Sequence, residues 1–332
     1  MNGKPLGRLE KVDLREFWQS EAGDFTPWLA QEANIELLGE AIGIELEVEA
    51  QEKNVGPFRA DILCKDTADG HWVLIENQLE RTDHTHLGQL LTYAAGLNAV
   101  TIVWISARFT EEHRAALDWL NDITDERFNF FGLEVELWRI GDSLAAPKFN
   151  VVSKPNDWTR SVAESTRRIS EGGLSETKEL QLRYWTAFRA LMESRESPVR
   201  FPSPRAAHWI NCGIGRSFAT LVPTVNSRDN LIGVEIYLKP PHAKAFFHLL
   251  AQDKPAIEAE LGEALDWQEL PTKKGARVFL GKEDTDPSDE ADWPSQHAWL
   301  ADMLERFDRV FRPRIAQLDA DDWQPDEDEV AA

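Results

Sequence analysis

The sequence predicts an α/β protein of two domains, and three observations carry that expectation. In the first half, hydrophobic periodicity switches repeatedly between about two and about 3.6 residues, so strands and helices alternate. A turn-rich break with Gly172 and Gly173 lies between residues 153 and 178. The chain has 332 residues, with 42% hydrophobic and 28% charged residues, enough apolar mass for two cores. The expected layout is a domain at 1–152, a linker at 153–178, a smaller α+β domain at 179–318 and a disordered acidic tail at 319–332.

The elements follow in order. Apolar positions 29, 33, 37, 38 and 41 give a helix over 28–42. A short strand is expected at 45–50. The runs 58–65 and 71–77 are β-rich and separated by DTADG, a hairpin signal. A helix at 85–97, a buried strand at 100–105, a helix at 111–123 and a strand at 133–140 complete an α-β-β-β-α-β-α-β order. The second half predicts a helix at 176–193 and strands at 209–212, 218–225 and 231–238. Helices at 243–250 and 254–261, a strand at 276–280 and a long helix at 295–317 follow. Trp28, Trp72, Trp104, Trp119 and Trp138 sit in apolar patterns and are expected in the core.

Several function classes are excluded at the outset. No apolar run approaches the ~20 residues of a membrane span, and the N-terminus has no secretory h-region. Two cysteines make no disulfide framework, so a reducing cytoplasm is expected. The formal charge of −22 argues against a non-specific binder of polyanions. That charge is uneven. Residues 1–150 hold 13 basic and 27 acidic residues, a net of −14. In the second half, the runs 283–292 and 319–329 hold six and seven carboxylates, and without them that half is net +5.

The chemistry concentrates in FRADILCKDTADGHWVLIENQLE, residues 58–80. A hairpin centred on Ala68 pairs residues whose numbers sum to about 137, setting Asp61 opposite Glu76. Cross-strand partners share a face, with Cβ atoms ~4.5–5.5 Å apart. Alternation puts Gln78 on that face and Asn77 on the other. Two such close carboxylates repel unless a cation lies between them, and an oxygen-only donor set suits Mg²⁺ or Mn²⁺. A solvated polar cluster at a sheet end carries equal weight on spacing alone. In the next helix, Leu87, Leu90, Leu91 and Ala94 form a core stripe. Gln89 and Tyr93 share another face at i and i+4. Asp83 is placed to cap that helix, and His86 lies on the stripe of Gln89 and Tyr93, where it would reach a phosphate or shuttle a proton, although a polar residue of the capped turn is the weightier reading.

Asp61, Glu76-Asn77-Gln78 and Gln89-x-x-x-Tyr93, in this order, resemble the PD-(D/E)XK nuclease superfamily, in its RecB-like branch with a Gln-x-x-x-Tyr helix. VGPFRADIL, IENQLERTDHTHLGQLLTYAAGL and VWI further resemble a bacterial group. That group joins such an N-terminus to a C-terminal domain of unknown function numbered 4268. The resemblance implies a restriction-endonuclease-like core of α-β-β-β-α-β order and a metal-dependent nuclease of genome defence or DNA processing. It implies Asp61 and Glu76 as ligands of Mg²⁺ or Mn²⁺, and Gln78 in the place of a catalytic Lys that positions water. Gln89 and Tyr93 would support the site, with Glu32 or Glu36 as the first-helix acid. Nucleic acid is the implied partner, DNA favoured over RNA, with a homodimer as a further expectation. The departure at Gln78 leaves a second reading open, a catalytically inactive module that binds nucleic acid or a protein.

Weaker signals complete the sequence. Gly213 and Gly215 read as a turn rather than a phosphate loop. Trp209 and Trp267 could stack on bases, although core packing is the default. Lys239, His242, Lys244, Lys273, Lys274 and Arg277 are candidates for a basic patch.

Overall fold

The computed structural model describes residues 7–55, 58–96, 100–125, 127–155 and 176–323. The chain forms two compact units, one of residues 1–65 and 71–166, the other of residues 66–70 and 167–332. Most of the expected linker and the end of the acidic tail lie outside the described residues. Among the described residues, no helix is long and apolar enough to cross a membrane.

The first unit is a mixed α/β layer structure. Its strands are β1 (Leu9–Val12), β2 (Leu46–Val55), β3 (Phe58–Asp66), β4 (Trp72–Arg81), β5 (Val100–Arg108), β6 (Phe128–Ile140) and β7 (Ala146–Ser153). They make one sheet in the order β1-β6-β5-β4-β3-β2, with β7 also paired to β6. The β4–β5 and β5–β6 pairs are parallel. The helices are α1 (Thr26–Leu29), α2 (Glu32–Ile42), α3 (His84–Gly96) and α4 (Glu111–Ile123).

The two faces of the sheet carry separate cores. Val73, Ile75, Val103 and Ile105 pack with Phe25, Leu29, Ile35 and Leu38 from α1, α2 and the turn before them. Leu74, Ile102 and Trp104 pack with Leu90, Tyr93, Leu117 and Leu120 of α3 and α4. Alternation along each strand sends successive side chains to opposite faces. Both faces are covered, so these central strands are largely apolar, with Glu76, Asn77 and Gln78 of β4 as buried polar exceptions.

Several elements differ from their expected form. The helix expected at 28–42 is broken into α1 and α2. Gln31 is extended at φ −69° and ψ 143°, and the Asn34 side chain donates to Trp28 O at 2.7 Å, capping the first piece. Strand β2 runs longer than expected, and β6 begins at Phe128 rather than 133. Strands β1 and β7 are additional. Trp119 is 59% exposed rather than in the core, because α4 buries Leu117 and Leu120 and turns residue 119 outward.

The second unit is a four-stranded antiparallel sheet with helices. It contains α5 (Glu176–Ser194), β8 (Ala219–Asn226), β9 (Leu231–Leu238), α6 (Ala243–Gln252), α7 (Lys254–Leu261), β10 (Asp266–Gln268), β11 (Ala276–Lys282) and α8 (Trp293–Ala316). The strand order is β10-β11-β9-β8. The strand expected at 209–212 is reduced to two isolated bridges, Trp209 to Thr224 and Cys212 to Leu221. Helix α8 buries Leu300, Leu304, Phe307 and Phe311 against Val234 and Ile236 of the sheet. The expected basic patch does not form as a unit. Lys244 donates to the carbonyls of Glu269, Leu270 and Gly275, and Arg277 pairs with the buried Glu235 at 3.0 Å.

In this core, His297 is 5% exposed and ringed by Tyr184, Phe188 and Trp293. Burial lowers its pKa from 6.5 to about 4. The folded state therefore prefers the neutral ring. As pH falls below 6.5 the unfolded chain takes the proton first, and stability drops until the folded pKa is reached. The second unit is expected to lose about 3 kcal/mol through this group between pH 6.5 and 4. Urea unfolding against pH, with His297→Leu as comparison, measures it. A parallel pH dependence in both proteins would reject the assignment.

Candidate functional site

The hairpin β3–β4 places the first two residues. Asp66 shapes its turn, accepting the Ala68 N–H at 2.8 Å, and Gly70 supplies the left-handed residue at φ 78°. Ile62 pairs with Ile75, Leu63 with Leu74 and Cys64 with Val73. One step along this register sets Asp61 opposite Glu76. Glu76 is 4% exposed, and Asp61 is half-buried. Asp61 Oδ2 accepts the backbone N–H of Asn77 at 2.8 Å.

Tyr93 of α3 completes this group. It is buried against Leu74 and Leu90, and its hydroxyl is hydrogen-bonded to the Glu76 carboxylate. Burial raises the Tyr93 pKa, and the charges of Glu76 and Asp61 raise it further. The phenol thus stays protonated and donates to Glu76. Two carboxylates and a phenol therefore converge on the α3 face of the sheet. The donor set is oxygen only, which fits a hard divalent cation. Among the described residues no group of three or more His, Cys, Asp or Glu side chains forms a metal-binding cluster, so such a cation would keep water or substrate oxygens as its other ligands.

Gln78 lies on the same face, 2% exposed. Its amide donates to Arg81 O at 2.8 Å and to Asp83 Oδ2 at 3.2 Å. Its carbonyl accepts the indole N–H of Trp104 at 2.9 Å. Asn77 faces the other way and bonds the buried Thr26. The β4–β5 register shifts between Gln78 and Arg81. Such a bulge releases backbone groups from the ladder, and the Leu79 N–H is taken by Glu21 Oε1 at 2.8 Å.

Beside Gln78 lies an open cleft of about 280 Å³, lined by Arg15, Glu21, Gln78, Glu80, Asp83 and His86. Asp83 caps α3, accepting the His86 N–H at 3.0 Å, and its other oxygen holds His86 Nδ1 at 2.8 Å. Burial opposes ionisation of Asp83, but the hydrogen bonds from His86 prevail and lower its pKa. A second histidine pair adjoins. His113, 5% exposed, meets Thr82 Oγ1 at 2.8 Å through Nδ1 and His84 at 3.1 Å through Nε2. Burial, then the neighbouring His84, lowers its pKa.

The remaining sequence candidates lie elsewhere. Gln89 is exposed on α3 and, among the described residues, makes no side-chain hydrogen bond. Glu32 and Glu36 are exposed on α2, whose buried side packs on the opposite face of the sheet from Tyr93. The acidic residue from the N-terminal helical region that does reach β4 is Glu21, in a single π-helical turn, Glu21–Phe25. Sequence patterning missed it because one turn shows no periodicity. Arg15, 3.6 Å from Glu21 and 3.4 Å from Glu80, was missed for the same reason.

Residues 180–315 match the family model described as "Domain of unknown function (DUF4268)". The second unit carries that domain. No curated protein matches the chain. Among solved structures, SfsA of Pyrococcus furiosus in complex with Ca²⁺ is similar at 17% identity, with a TM-score of 0.21. The alignment covers 36% of this chain and 58% of that one.

Proposed function

We infer that the first unit is a divalent-cation-dependent nuclease module, acting on DNA in bacterial genome defence or DNA processing. The observation that carries this reading is the meeting of Asp61, Glu76 and the Tyr93 hydroxyl on one sheet face. Asp61 and Glu76 would hold Mg²⁺ or Mn²⁺. Bound by these carboxylates, the ion would supply polarisation of a phosphoryl oxygen and easier deprotonation of water. Tyr93 orients Glu76 through its hydroxyl. Arg15, paired with Glu21 and Glu80, lines the cleft, and His86, steadied by Asp83, offers an imidazole for proton exchange. Two buried free thiols, Cys64 and Cys212, suit a reducing cytoplasm. Burial, with the nearby Glu49, pushes Cys64 up to about 12, so it is inert as a nucleophile.

The bonding of Gln78 favours a second reading. Both ends of its amide are engaged by Trp104, Arg81 and Asp83, so it is held as a structural tie rather than a positioner of water. In that case the module binds a cation and nucleic acid without cutting. The test is cleavage of single- and double-stranded DNA and RNA with Mg²⁺ or Mn²⁺, alongside calorimetry of cation binding. The nuclease reading expects cleavage that falls at least about 100-fold in Asp61→Ala. Cation binding without cleavage selects the silent module. Neither binding nor cleavage overturns both.

A further inference from the structure

The second unit has an open cleft of about 460 Å³, within the range of small-ligand sites. Its lining includes Thr177, Lys178, Gln181, His208, Trp209 and Arg228, and among the described residues none of the lining is acidic. In a chain with 58 Asp and Glu residues, two cations and no acid among the described lining residues are a marked local inversion of charge.

Those cations are available. Among the described residues, neither Lys178 nor Arg228 pairs with a carboxylate, whereas neighbouring arginines of the unit do. Arg183 meets Glu290 at 2.7 Å, and Arg195 meets Asp302 at 2.6 Å.

The aromatic member is equally exposed to a ligand. Trp209 is 44% exposed, while Trp185 is fully buried. Leaving an indole half in water forgoes a large apolar gain. The exposure does not come from a loose segment. Ala207 O accepts the Trp185 indole N–H at 2.8 Å, His208 O accepts the Val225 N–H at 2.8 Å, and the Ile210 N–H reaches Pro223 O at 3.2 Å. Backbone anchors on both sides of Trp209 fix it against β8. Its ring meets the His208 ring edge-to-face at 4.2 Å, which sets the orientation of the indole.

A fixed, exposed indole beside two cations that meet no carboxylate among the described residues suits a flat aromatic group that carries a phosphate. We propose that this cleft is a nucleotide-binding site, with the base stacked on Trp209 and the phosphate held by Lys178 and Arg228. Gln181, Thr177 and His208 offer donors and acceptors to the edge of the base. Burial lowers the His208 pKa, so its ring is neutral near pH 7 and can donate and accept. The proposal does not rest on the carboxylate site of the first unit.

The ligand is either a free mononucleotide or one nucleotide of a single strand, and the two are separated by experiment. The full chain is titrated in EDTA, which prevents cleavage, with AMP by calorimetry and with fluorescein-labelled dT15 by anisotropy. Trp209→Ala is expected to weaken binding at least about tenfold, and Trp209→Phe to retain most of it, because stacking tolerates any aromatic platform. Lys178→Ala with Arg228→Ala is expected to lower the salt dependence of dT15 binding by about 0.7 in log–log slope, the value for one neutralised phosphate on a single strand. Binding of AMP with this dependence on Trp209 assigns a mononucleotide site. Binding of dT15 alone, with the same dependence, assigns a strand. If neither ligand binds, or if Trp209→Ala binds both as tightly as the wild type, the site is not a nucleotide site. Circular dichroism melting shows whether each variant remains folded.

Discussion

Glu76→Gln is expected to stabilise the first unit in EDTA and to remove most of its response to Mg²⁺. The paired effect follows from the register that sets Glu76 opposite Asp61. Cross-strand carboxylates ~5 Å apart repel by about 3 kcal/mol at an effective dielectric constant of about 20. Asp61 is half-buried, so solvent screening reduces this to about 1–2 kcal/mol. Glutamine removes that repulsion and the cost of burying an anion, and its carbonyl can still accept from the Tyr93 hydroxyl. With the wild type, a cation at 100 times its Kd stabilises by about 2.7 kcal/mol. The variant lacks one of the two carboxylates and loses most of that gain. Thermal unfolding of both proteins, in EDTA and in Mg²⁺, measures the two effects together. A variant that is less stable in EDTA, yet gains as much from Mg²⁺ as the wild type, would show that Glu76 serves packing rather than a cation.

The meeting of the two carboxylates was partly legible in the sequence. The hairpin register was readable because DTADG fixes the turn and the strands on either side of it are apolar. Pairs summing to 137 follow from the turn alone. The faces of Asn77 and Gln78 followed from alternation. Helix α3 shows where patterning stops. Leu87, Leu90, Leu91 and Ala94 looked like its core stripe, yet Leu91 is 41% exposed and Tyr93 is 6% exposed. The helix is rotated so that the Tyr93 hydroxyl meets the Glu76 carboxylate, a buried polar bond that a hydrophobicity count cannot register. Glu21 was invisible for a related reason. Its role depends on a bulge that frees the Leu79 N–H, and no sequence feature marks that bulge. The α1–α2 break turns on one side-chain cap, Asn34 to Trp28 O. Trp209 needed the structure because its pattern reads equally as core or surface.

Trp104→Ala is expected to cost the first unit about 4 kcal/mol, the largest single loss we anticipate. Trp104 is fully buried at the centre of the sheet, between Glu76 on β4 and Gly132 on β6. Its ring packs edge-to-face on Phe109 at 5.1 Å and lies 5.4 Å from His113. The loss combines apolar transfer, a cavity and an orphaned Gln78 carbonyl. Trp104→Phe separates these parts. It keeps most of the packing and removes the N–H, so it should cost about 1–2 kcal/mol. Gln78→Ala removes the partner of that N–H. In the double variant Trp104→Phe/Gln78→Ala the two costs should overlap by about 1 kcal/mol, since they share one buried bond. Full additivity would mean that the indole does not hold Gln78, and the case for Gln78 as a structural tie would fail. Coupling of the expected size would instead place the glutamine in the architecture of β4 and β5, leaving Asp61, Glu76 and Tyr93 to carry whatever chemistry the sheet face performs.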